Sequence, residues 1–310
     1  MVRRGQVLVT GAAGTHGGTG RFLIEELIAR AIPVRALARV ADERSERLRA
    51  LGAEIVIGDL TRLDDMRRAL DGVDGVFFCY PLAPGLLQAA ATLGAATREA
   101  GTRTIVDLSI MMAAPDHPSP VCRDHWLAER VLDWADMSSI HLRAGFFFEN
   151  LLRFCARDIR EDDRILLPFG EGDAALAWVG ARDVAAVAAA MLAEPSAHAG
   201  RTFDVTGDAI LSIKEIAEAM SASLGRPIRY EATPLADWLA HVAPILGENA
   251  QLRAHVGVLG RVFSSGRVIG RVNDLVSRLT SRPAQSAAAF AQAHAADFTA
   301  AAPASSVASS

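Results

Sequence analysis

The chain has 310 residues, of which 51% are apolar, and its formal net charge is -4 at pH 7. This balance excludes the strongly basic surface of a nucleic-acid or membrane-surface binder. No apolar stretch reaches the ~18 residues that cross a bilayer, and a strand begins almost at once, which leaves no room for a signal peptide. Three scattered cysteines and unclustered histidines give neither a disulfide framework nor a metal site. We therefore expect a cytoplasmic protein that needs no metal, membrane or nucleic acid.

The first half of the chain alternates short β-branched runs with longer amphipathic stretches. The predicted strands cover residues 7–9, 34–37, 54–57, 73–79, 104–108 and 140–142. Apolar residues spaced for one buried face predict helices at 20–30, 62–71, 84–101 and 122–135. Six strands joined through helices indicate an α/β fold with a doubly wound, parallel Rossmann sheet. Ligands of such sheets bind at the carboxyl ends of the strands.

The second half of the chain loosens this pattern. Residues 183–192 form a helix that we expect to return to the main sheet. The sequence SIKE is a capping box in which Ser212 and Glu215 satisfy each other's backbone N–H groups, so a helix is predicted at 212–224. A strand is predicted at 227–231, and the chain is largely helical beyond it.

The length suits one large α/β domain and a smaller one, at ~150 residues per domain. We assign residues 1–150 to a Rossmann domain, to which 178–194 return. Residues 151–177 and 195–300 form a smaller, mostly helical α/β domain that covers the substrate. The low-complexity end, 301–310, is expected to be disordered.

A glycine-rich turn follows the first strand. The sequence TGAAGTHGGTGR, residues 10–21, carries five glycines between a buried strand and a helix. Glycine is costly there because it loses more conformational entropy on folding than any other residue. An ordinary turn needs only one or two glycines, whereas a phosphate-binding turn needs positive φ angles and bare N–H groups at the positive end of a helix. The turn therefore predicts a site for a dinucleotide diphosphate.

Several stretches together resemble the NmrA-like group of atypical short-chain dehydrogenase/reductases. They are VLVTGAAG, GDLTRLDDMRRALDGVD, LRAGFFFENLL, ARDVAAVAAAML, FDVTGDAILSIKEIA and LGRPIRY. The likeness runs over about residues 6–298. It implies an NAD(P)-binding Rossmann domain and a smaller carboxy-terminal domain folded over the active-site cleft.

The resemblance leaves two registers open for the diphosphate. The family spacing G-x-x-G-x-x-G is matched by Gly11, Gly14 and Gly17, or it ends at Gly20 after a three-residue insertion. Three polar residues of the turn are expected close to the phosphates: Thr15, His16 and Thr19. A histidine at this position can donate to the diphosphate or face solvent.

The end of the second strand bears on which nicotinamide cofactor binds. NAD-preferring Rossmann domains place a carboxylate there for the ribose hydroxyls. This chain has Arg39 and no carboxylate before Asp42. An arginine fork matches the oxygens of a 2′-phosphate, so NADP(H) is expected in preference to NAD(H). Arg39 as a solvated charge is the alternative, and Arg44 either assists or lies on the surface.

Further cofactor contacts are predicted at the ends of later strands. Asp59 and Leu60 match the adenine-contacting pair of the family, and Asp59 could also cap helix 62–71. Three more contacts are predicted after the fourth and fifth strands: Tyr80, Pro81 and Ser109.

The usual catalytic pair of the wider superfamily, Tyr-x-x-x-Lys, is missing. The only tyrosines are Tyr80 and Tyr230, and the only lysine, Lys214, lies far along the chain. The sequence HWLAE instead places His125 and Glu129 one helical turn apart on one face. In that arrangement the carboxylate orients and charges the imidazole, which makes His125 a proton donor. A surface hydrogen bond without a chemical role is the alternative.

The sequence GFFFEN suggests where an acceptor binds. Phe147, Phe148 and Asn150 would form an aromatic-lined site with one polar contact, although two of its three phenylalanines could be plain core. We therefore predict NADPH-dependent reduction of a small quinone-like or aromatic acceptor. The alternative is a non-catalytic NADP(H)-binding redox sensor that acts through a protein partner. A homodimer is left open.

Overall fold

The first half of the chain alternates strands and helices in the order that the sequence predicts. The structure is a computed structural model that describes residues 5–14, 18–135 and 138–299. In chain order its first elements are β1 (Gln6–Val9), α1 (Thr19–Ala29), β2 (Val34–Ala38), α2 (Glu43–Ala50), β3 (Glu54–Ile57), α3 (Leu63–Leu70), β4 (Val73–Phe78), α4 (Leu86–Ala100), β5 (Thr104–Ile110), α5 (Pro120–Trp134) and β6 (Ile140–Ala144). All six predicted strands are present, and so are the helices predicted at 20–30, 62–71, 84–101 and 122–135.

The second half of the chain consists of shorter elements. They are β7 (Phe146–Phe147), α6 (Glu149–Phe154), α7 (Ala156–Asp162), β8 (Arg164–Leu167), β9 (Ala175–Val179), α8 (Ala181–Ala193), a 3-10 turn (Pro195–Ala197), β10 (Thr202–Val205), β11 (Ile210–Ser212), α9 (Ile213–Leu224), β12 (Arg229–Ala232), α10 (Leu235–His241), α11 (Ala243–Leu246), α12 (Ala250–Phe263), β13 (Val268–Ile269), α13 (Leu275–Thr280), α14 (Ala287–Ala293) and α15 (Ala295–Phe298). The predicted capping box is formed: Ser212 Oγ accepts from the backbone N of Glu215 at 3.2 Å, and the Glu215 carboxylate accepts from the N of Ser212 at 2.7 Å.

A seven-stranded sheet organises the fold. Its strands lie in the order β10-β6-β5-β4-β1-β2-β3, and every neighbouring pair is parallel. The chain order reverses at β1, which pairs with β2 on one side and with β4 on the other. The predicted doubly wound parallel sheet is confirmed, and its switch point lies at the glycine turn.

The sheet has one strand more than we predicted. The seventh, β10, pairs with β6 from Thr202 to Val205. It lies in the segment that we assigned to the smaller domain. The local sequence pattern of β10 cannot show this pairing, because the elements from β7 to α8 lie between β6 and β10 along the chain. The division into two domains stays a prediction.

Helices cover both faces of the large sheet. On one face Leu23 and Leu27 of α1 pack with Val184 and Val187 of α8 in a buried cluster. On the other face, Leu93 of α4 belongs to a second cluster with residues of α3 and α5. Burial of these apolar side chains contributes on the order of 1.5–3 kcal/mol each, which explains why α8 lies on the main sheet.

A smaller sheet, ordered β11-β9-β13 with β7 beside β9, and the pair β8–β12 form a second packed region. Its core includes Trp178, Phe263 and Phe290 and is surrounded by the later helices. Across the described part of the chain, no helix has both the length and the apolar character that a membrane crossing requires. A cytoplasmic location stays a prediction.

Candidate active site

A cavity of about 1130 Å³ lies over the carboxyl ends of the large sheet. Gly11, Arg39, Tyr80 and Ser109, which end or follow β1, β2, β4 and β5, line one part of it. Side chains from α6, α10, α11 and α12 line the other part. Small-ligand pockets usually measure about 300–1,000 Å³, so this cavity has room for a cofactor and a second small molecule.

The glycine turn forms the narrow base of the cavity. Gly11 has a φ of 74°, and a Cβ there would lie 2.9 Å from the carbonyl oxygen of Cys79. A Cβ on Gly20 would lie 2.7 Å from the Cα of Ala12. The helix α1 begins at Thr19 after Gly18, and no side chain of the described residues caps its first N–H groups. The free N–H donors lie at the positive end of a helix, where a diphosphate binds favourably. The glycines at positions 11 and 20 allow the close backbone contacts of the turn, because a Cβ at either position would be too close to its neighbours.

The other residues of the turn divide into two groups. Gly14 is exposed and lines the cavity beside Gly11. Thr15, His16 and Gly17 lie outside the described residues, so the choice between the two glycine registers stays open.

A residue that sequence reasoning missed ties the turn to the sheet. Thr10 Oγ1 donates to the carbonyl of Cys79 at 3.0 Å and accepts from its N–H at 2.8 Å. Burial raises the pKa of the Cys79 thiol to about 12, so this cysteine is not a nucleophile. The threonine in VLVTGAAG is the sequence feature from which this link could have been found.

Arg39 follows β2 directly and points to solvent. Its side chain is 73% exposed, and its Nη2 lies 3.7 Å from Asp59 Oδ2. Arg44, in contrast, donates through Nε at 2.8 Å and through Nη2 at 2.6 Å to Asp42, which caps α2. Of these two arginines, Arg39 therefore has the guanidinium that a ligand can bind more easily, because the guanidinium of Arg44 is already bonded to Asp42.

Asp59 and Leu60 both line the cavity. Asp59 Oδ1 accepts from the backbone N of Thr61 at 2.8 Å and from its hydroxyl at 2.7 Å, and these bonds hold the pKa of Asp59 below its ordinary value. The residue before α3 is Arg62, and no side chain caps that helix. Asp59 thus closes the turn before α3 and does not cap the helix itself.

Tyr80 and Pro81 line the cavity after β4. The Tyr80 hydroxyl donates to the carbonyl of Pro84 at 2.9 Å, and partial burial raises the pKa of Tyr80. A hydroxyl bound in this way holds the ring in place and is a poor proton donor.

The predicted pair of His125 and Glu129 is not formed, and our assignment of Glu129 is corrected. Glu129 is fully buried and accepts from Arg143 Nε at 2.9 Å, from Arg143 Nη2 at 2.6 Å and from Ser109 Oγ at 2.6 Å. Although burial alone would raise it, these hydrogen bonds hold the pKa of Glu129 below its ordinary value. The helical spacing is as predicted, but Arg143, on the neighbouring strand β6, takes the carboxylate.

His125 lines the cavity, whereas Glu129 does not. It is buried, and in the part of the chain that the structure describes it makes no hydrogen bond. Burial lowers the pKa of His125, against weaker opposing effects of Asp107, Glu129 and Asp124. The imidazole is therefore neutral at pH 7, which is the opposite of the charged proton donor that we predicted.

A second histidine, which sequence reasoning missed, lies close to His125. His255 on α12 lines the cavity, and its Nδ1 is 2.8 Å from Ser119 Oγ. Burial, with His125 and His117 nearby, lowers the pKa of His255 to about 4. No local pattern links these residues, because Ser119 and His255 are 136 positions apart.

The GFFFEN segment divides between cavity and core. Phe147 and Asn150 line the cavity together with Phe146. Phe148 does not: its ring stacks on Trp178 at 5.4 Å and on Phe290 at 5.4 Å, with 2% of its surface exposed. We therefore withdraw Phe148 as an acceptor contact, because the smaller core covers it.

Glu149, between these residues, also lines the cavity and was missed. Its Oε1 accepts from the backbone N of Ala181 at 2.9 Å, at the start of α8. Burial raises the pKa of Glu149 to about 7. The carboxyl thus faces α8 and joins the second half of the chain to the helix that returns to the main sheet.

The strand order, the glycine turn at the switch point and the cavity over the carboxyl ends define a dinucleotide-binding Rossmann protein. The model of the NmrA-like family matches residues 3–268. The chain belongs to this family.

Similar proteins include enzymes and a regulator. The chain is 37% identical to an NAD(P)H azoreductase of Xenophilus azovorans over 95% of its own length and 100% of that relative. It shares the fold of an NADPH-dependent quinone oxidoreductase from Escherichia coli solved with NADPH, at 22% identity and a TM-score of 0.78 over 93% of this chain and 99% of that one. It also shares the fold of NmrA, a negative transcriptional regulator solved with NAD, at 18% identity and a TM-score of 0.77 over 94% and 95% of the chains.

Proposed function

We propose that this NAD(P)H-dependent oxidoreductase uses NADPH in preference to NADH and reduces small quinone-like or azo acceptors. The observation that carries the proposal is one continuous cavity, with the glycine turn at one part and aromatic side chains at the other. The full-length similarity to an NAD(P)H azoreductase supports the class of acceptor.

The part of the cavity over the strand ends would bind the cofactor. We propose that Gly11, Gly14, Thr19 and Gly20 leave room for the diphosphate at the start of α1. The remaining contacts that we propose are Arg39 for a 2′-phosphate, Asp59 and Leu60 for adenine, and Tyr80, Pro81 and Ser109 beside the nicotinamide ribose.

The preference for NADPH depends on Arg39. Its guanidinium is exposed and its nearest carboxylate oxygen is 3.7 Å away, which is too far for a strong hydrogen bond. A 2′-phosphate could therefore take both arms of the fork with little competition from the protein.

A bound nicotinamide cofactor supplies a hydride, and the side chains around it determine which acceptor can use it. Phe146 and Phe147 would pack on a flat acceptor and exclude water. The Tyr80 hydroxyl is held by Pro84, and His125 is neutral, so neither is an efficient acid. A quinone or azo group suits such a site, because it stabilises negative charge itself and can take its proton from solvent.

The proposal is tested by mixing the purified protein with NADPH and a panel of quinones, azo dyes and simple ketones. We expect loss of the nicotinamide absorbance with quinones and azo dyes and little loss with simple ketones. Binding of NADPH without turnover of any acceptor would favour a redox sensor instead. Efficient reduction of simple ketones would contradict the proposed class of acceptor.

A further inference from the structure

The acceptor part of the cavity is the part lined by β7, α5, α6, α10, α11 and α12, and one cation in it has no carboxylate partner among the described residues. Arg153, on α6, lines the cavity and is half-buried. Its Nε is shielded from solvent without a hydrogen bond, and no carboxylate of the described residues pairs with it. Its guanidinium carbon lies 4.9 Å from the centre of the Phe154 ring. Burial lowers the pKa of Arg153, and no opposing charge offsets this effect.

The expected local partner of Arg153 is turned away. Glu149 precedes it by four residues, the spacing at which a glutamate and an arginine commonly pair on a helix. The Glu149 carboxyl instead accepts from the N–H of Ala181. Asn150, three residues before Arg153, lies on the same side of α6 and also lines the cavity. A guanidinium and an amide therefore lie about one helical turn apart, and no carboxylate of the described residues bonds to either of them.

The charges around this end of the cavity also favour an anion. The carboxylates that line the cavity are Asp42 and Asp59, which lie after β2 and β3 at the opposite end, and Glu149, whose carboxyl faces α8. Arg153 is the arginine that lines the acceptor end. Of the histidines there, His125 and His255 are neutral at pH 7, and His294 Nδ1 lies 3.0 Å from Asp297 Oδ2, so the positive charge of this end comes from Arg153. An uncompensated, partly buried cation is unfavourable for the free protein, and a bound anion would offset that cost.

We propose that Arg153 and Asn150 bind an anionic substituent of the acceptor, a carboxylate, sulfonate or phosphate, so that the preferred acceptors are aromatic anions. The inference rests on the proposed function only in identifying the bound molecule as an acceptor, because binding of an anion does not itself require turnover. The planar fork of Arg153 matches two oxygens of such a group, and the amide of Asn150 supplies a further donor. The apolar side chains beside it would hold the aromatic part.

The test measures binding without turnover. Naphthalene-2-sulfonate and its neutral analogue naphthalene-2-sulfonamide are titrated by calorimetry into the full-length protein saturated with NADP⁺. We expect the sulfonate to bind ~10- to 100-fold more tightly, as a charge-assisted pair provides. Arg153→Met should remove this preference, and Arg153→Lys should keep part of it because the charge remains without the fork.

Two controls separate the proposal from its alternatives. Arg157→Met removes an arginine of α7 that is 74% exposed and paired with Glu161, and it should leave the preference unchanged. Arg153→Met should not lower the Tm, because it removes an unpaired cation, whereas a fall would reveal a structural partner and overturn the proposal.

The remaining outcomes also decide. Equal binding of the two probes by the wild-type protein would overturn the anion site, even if quinones and azo dyes are reduced. A rise in the Kd of NADPH in Arg153→Met, equal to the loss of sulfonate binding, would place Arg153 on the cofactor and contradict the proposal. A preserved sulfonate preference in a protein that turns over no acceptor would support the anion site and contradict only the proposed function.

Discussion

The two ends of the cavity are built in different ways. At the cofactor end, where we propose that the dinucleotide binds, Gly11, Arg39, Asp59 and Tyr80 each follow a strand of one sheet, so backbone geometry sets their positions. At the acceptor end the side chains come from β7, from α5 and from several separate helices of the second half of the chain. The first end presents backbone N–H groups and an exposed charge, whereas the second contains two neutral histidines, His125 and His255, and the half-buried guanidinium of Arg153. The cofactor end should therefore respond to changes in backbone space, and the acceptor end to pH and charge.

The largest effect is expected from filling the glycine turn. Gly11→Ala puts a Cβ 2.9 Å from the carbonyl oxygen of Cys79 at a φ of 74°, so the turn must move. We expect the Kd of NADPH, measured by fluorescence titration, to rise by ~100-fold, or about 3 kcal/mol. Gly72→Ala is the matched control, because Gly72 has a φ of 71° but nothing within 4 Å of its Cβ. Gly72→Ala should lower the free energy of unfolding by about 1–2 kcal/mol and leave the Kd of NADPH unchanged. An equal rise in both variants would mean that strain, not space, explains the effect.

The next effect concerns the choice of cofactor. Arg39→Ala should weaken NADPH binding by ~10- to 100-fold and leave NADH nearly unchanged, because only a 2′-phosphate uses the fork. Arg62→Ala is a close control: Arg62 is 74% exposed and lies 3.7 Å from Asp65, much as Arg39 is 73% exposed and lies 3.7 Å from Asp59. Similar losses for NADPH and NADH in Arg39→Ala would show that the arginine is structural.

A smaller effect tests whether the acceptor end holds its histidines neutral. The folded-state pKa of His255 is about 4, below the ordinary 6.5. As the pH falls below 6.5, His255 is therefore protonated in the unfolded chain but stays neutral in the folded protein. His255 therefore lowers the free energy of unfolding by about 1.6 kcal/mol between pH 6.5 and pH 5. The wild-type protein should lose this amount relative to His255→Gln in urea unfolding at the two pH values. A constant difference between the two proteins would show that the imidazole is not held neutral.

The smallest effect is expected at His125. The imidazole is neutral and makes no hydrogen bond among the described residues, so His125→Ala should lower kcat for a quinone by at most ~10-fold, below the ~10²-fold that a general acid typically contributes. Stopped-flow measurement of hydride transfer would check this. A loss of ~10²-fold or more would restore His125 as the proton donor.

The same contrast explains what the sequence could predict. Each strand of the main sheet carries its own apolar pattern, and residues directly after parallel strands must meet at one edge. The placement of Gly11, Arg39 and Tyr80 therefore follows from local information. The α/β class, the parallel sheet and the NmrA-like family were all accessible in this way, although β10 was placed in the smaller domain.

The failures involve partners that are distant in the chain. Spacing alone placed His125 and Glu129 on one helix face, but it could not show that Arg143 takes the carboxylate. The sequence does not distinguish Phe148, which is buried, from Phe147, which lines the cavity, because the burial of Phe148 depends on its stacking with the distant Phe290. His255 and Ser119 meet across 136 positions with no repeat or motif to connect them. In each case a tertiary contact decides the role, and local periodicity does not carry that information.

The strand β10 also has a consequence for how the protein folds. It comes from the second half of the chain, yet it completes the large sheet by pairing with β6 along four residues. Until β10 arrives, β6 would present an unpaired row of backbone N–H and carbonyl groups, the kind of edge that recruits strands from other molecules. A fragment that ends near residue 150 would keep that edge open. The two halves therefore depend on each other for the complete sheet, which can form only after residues 202–205 have been added.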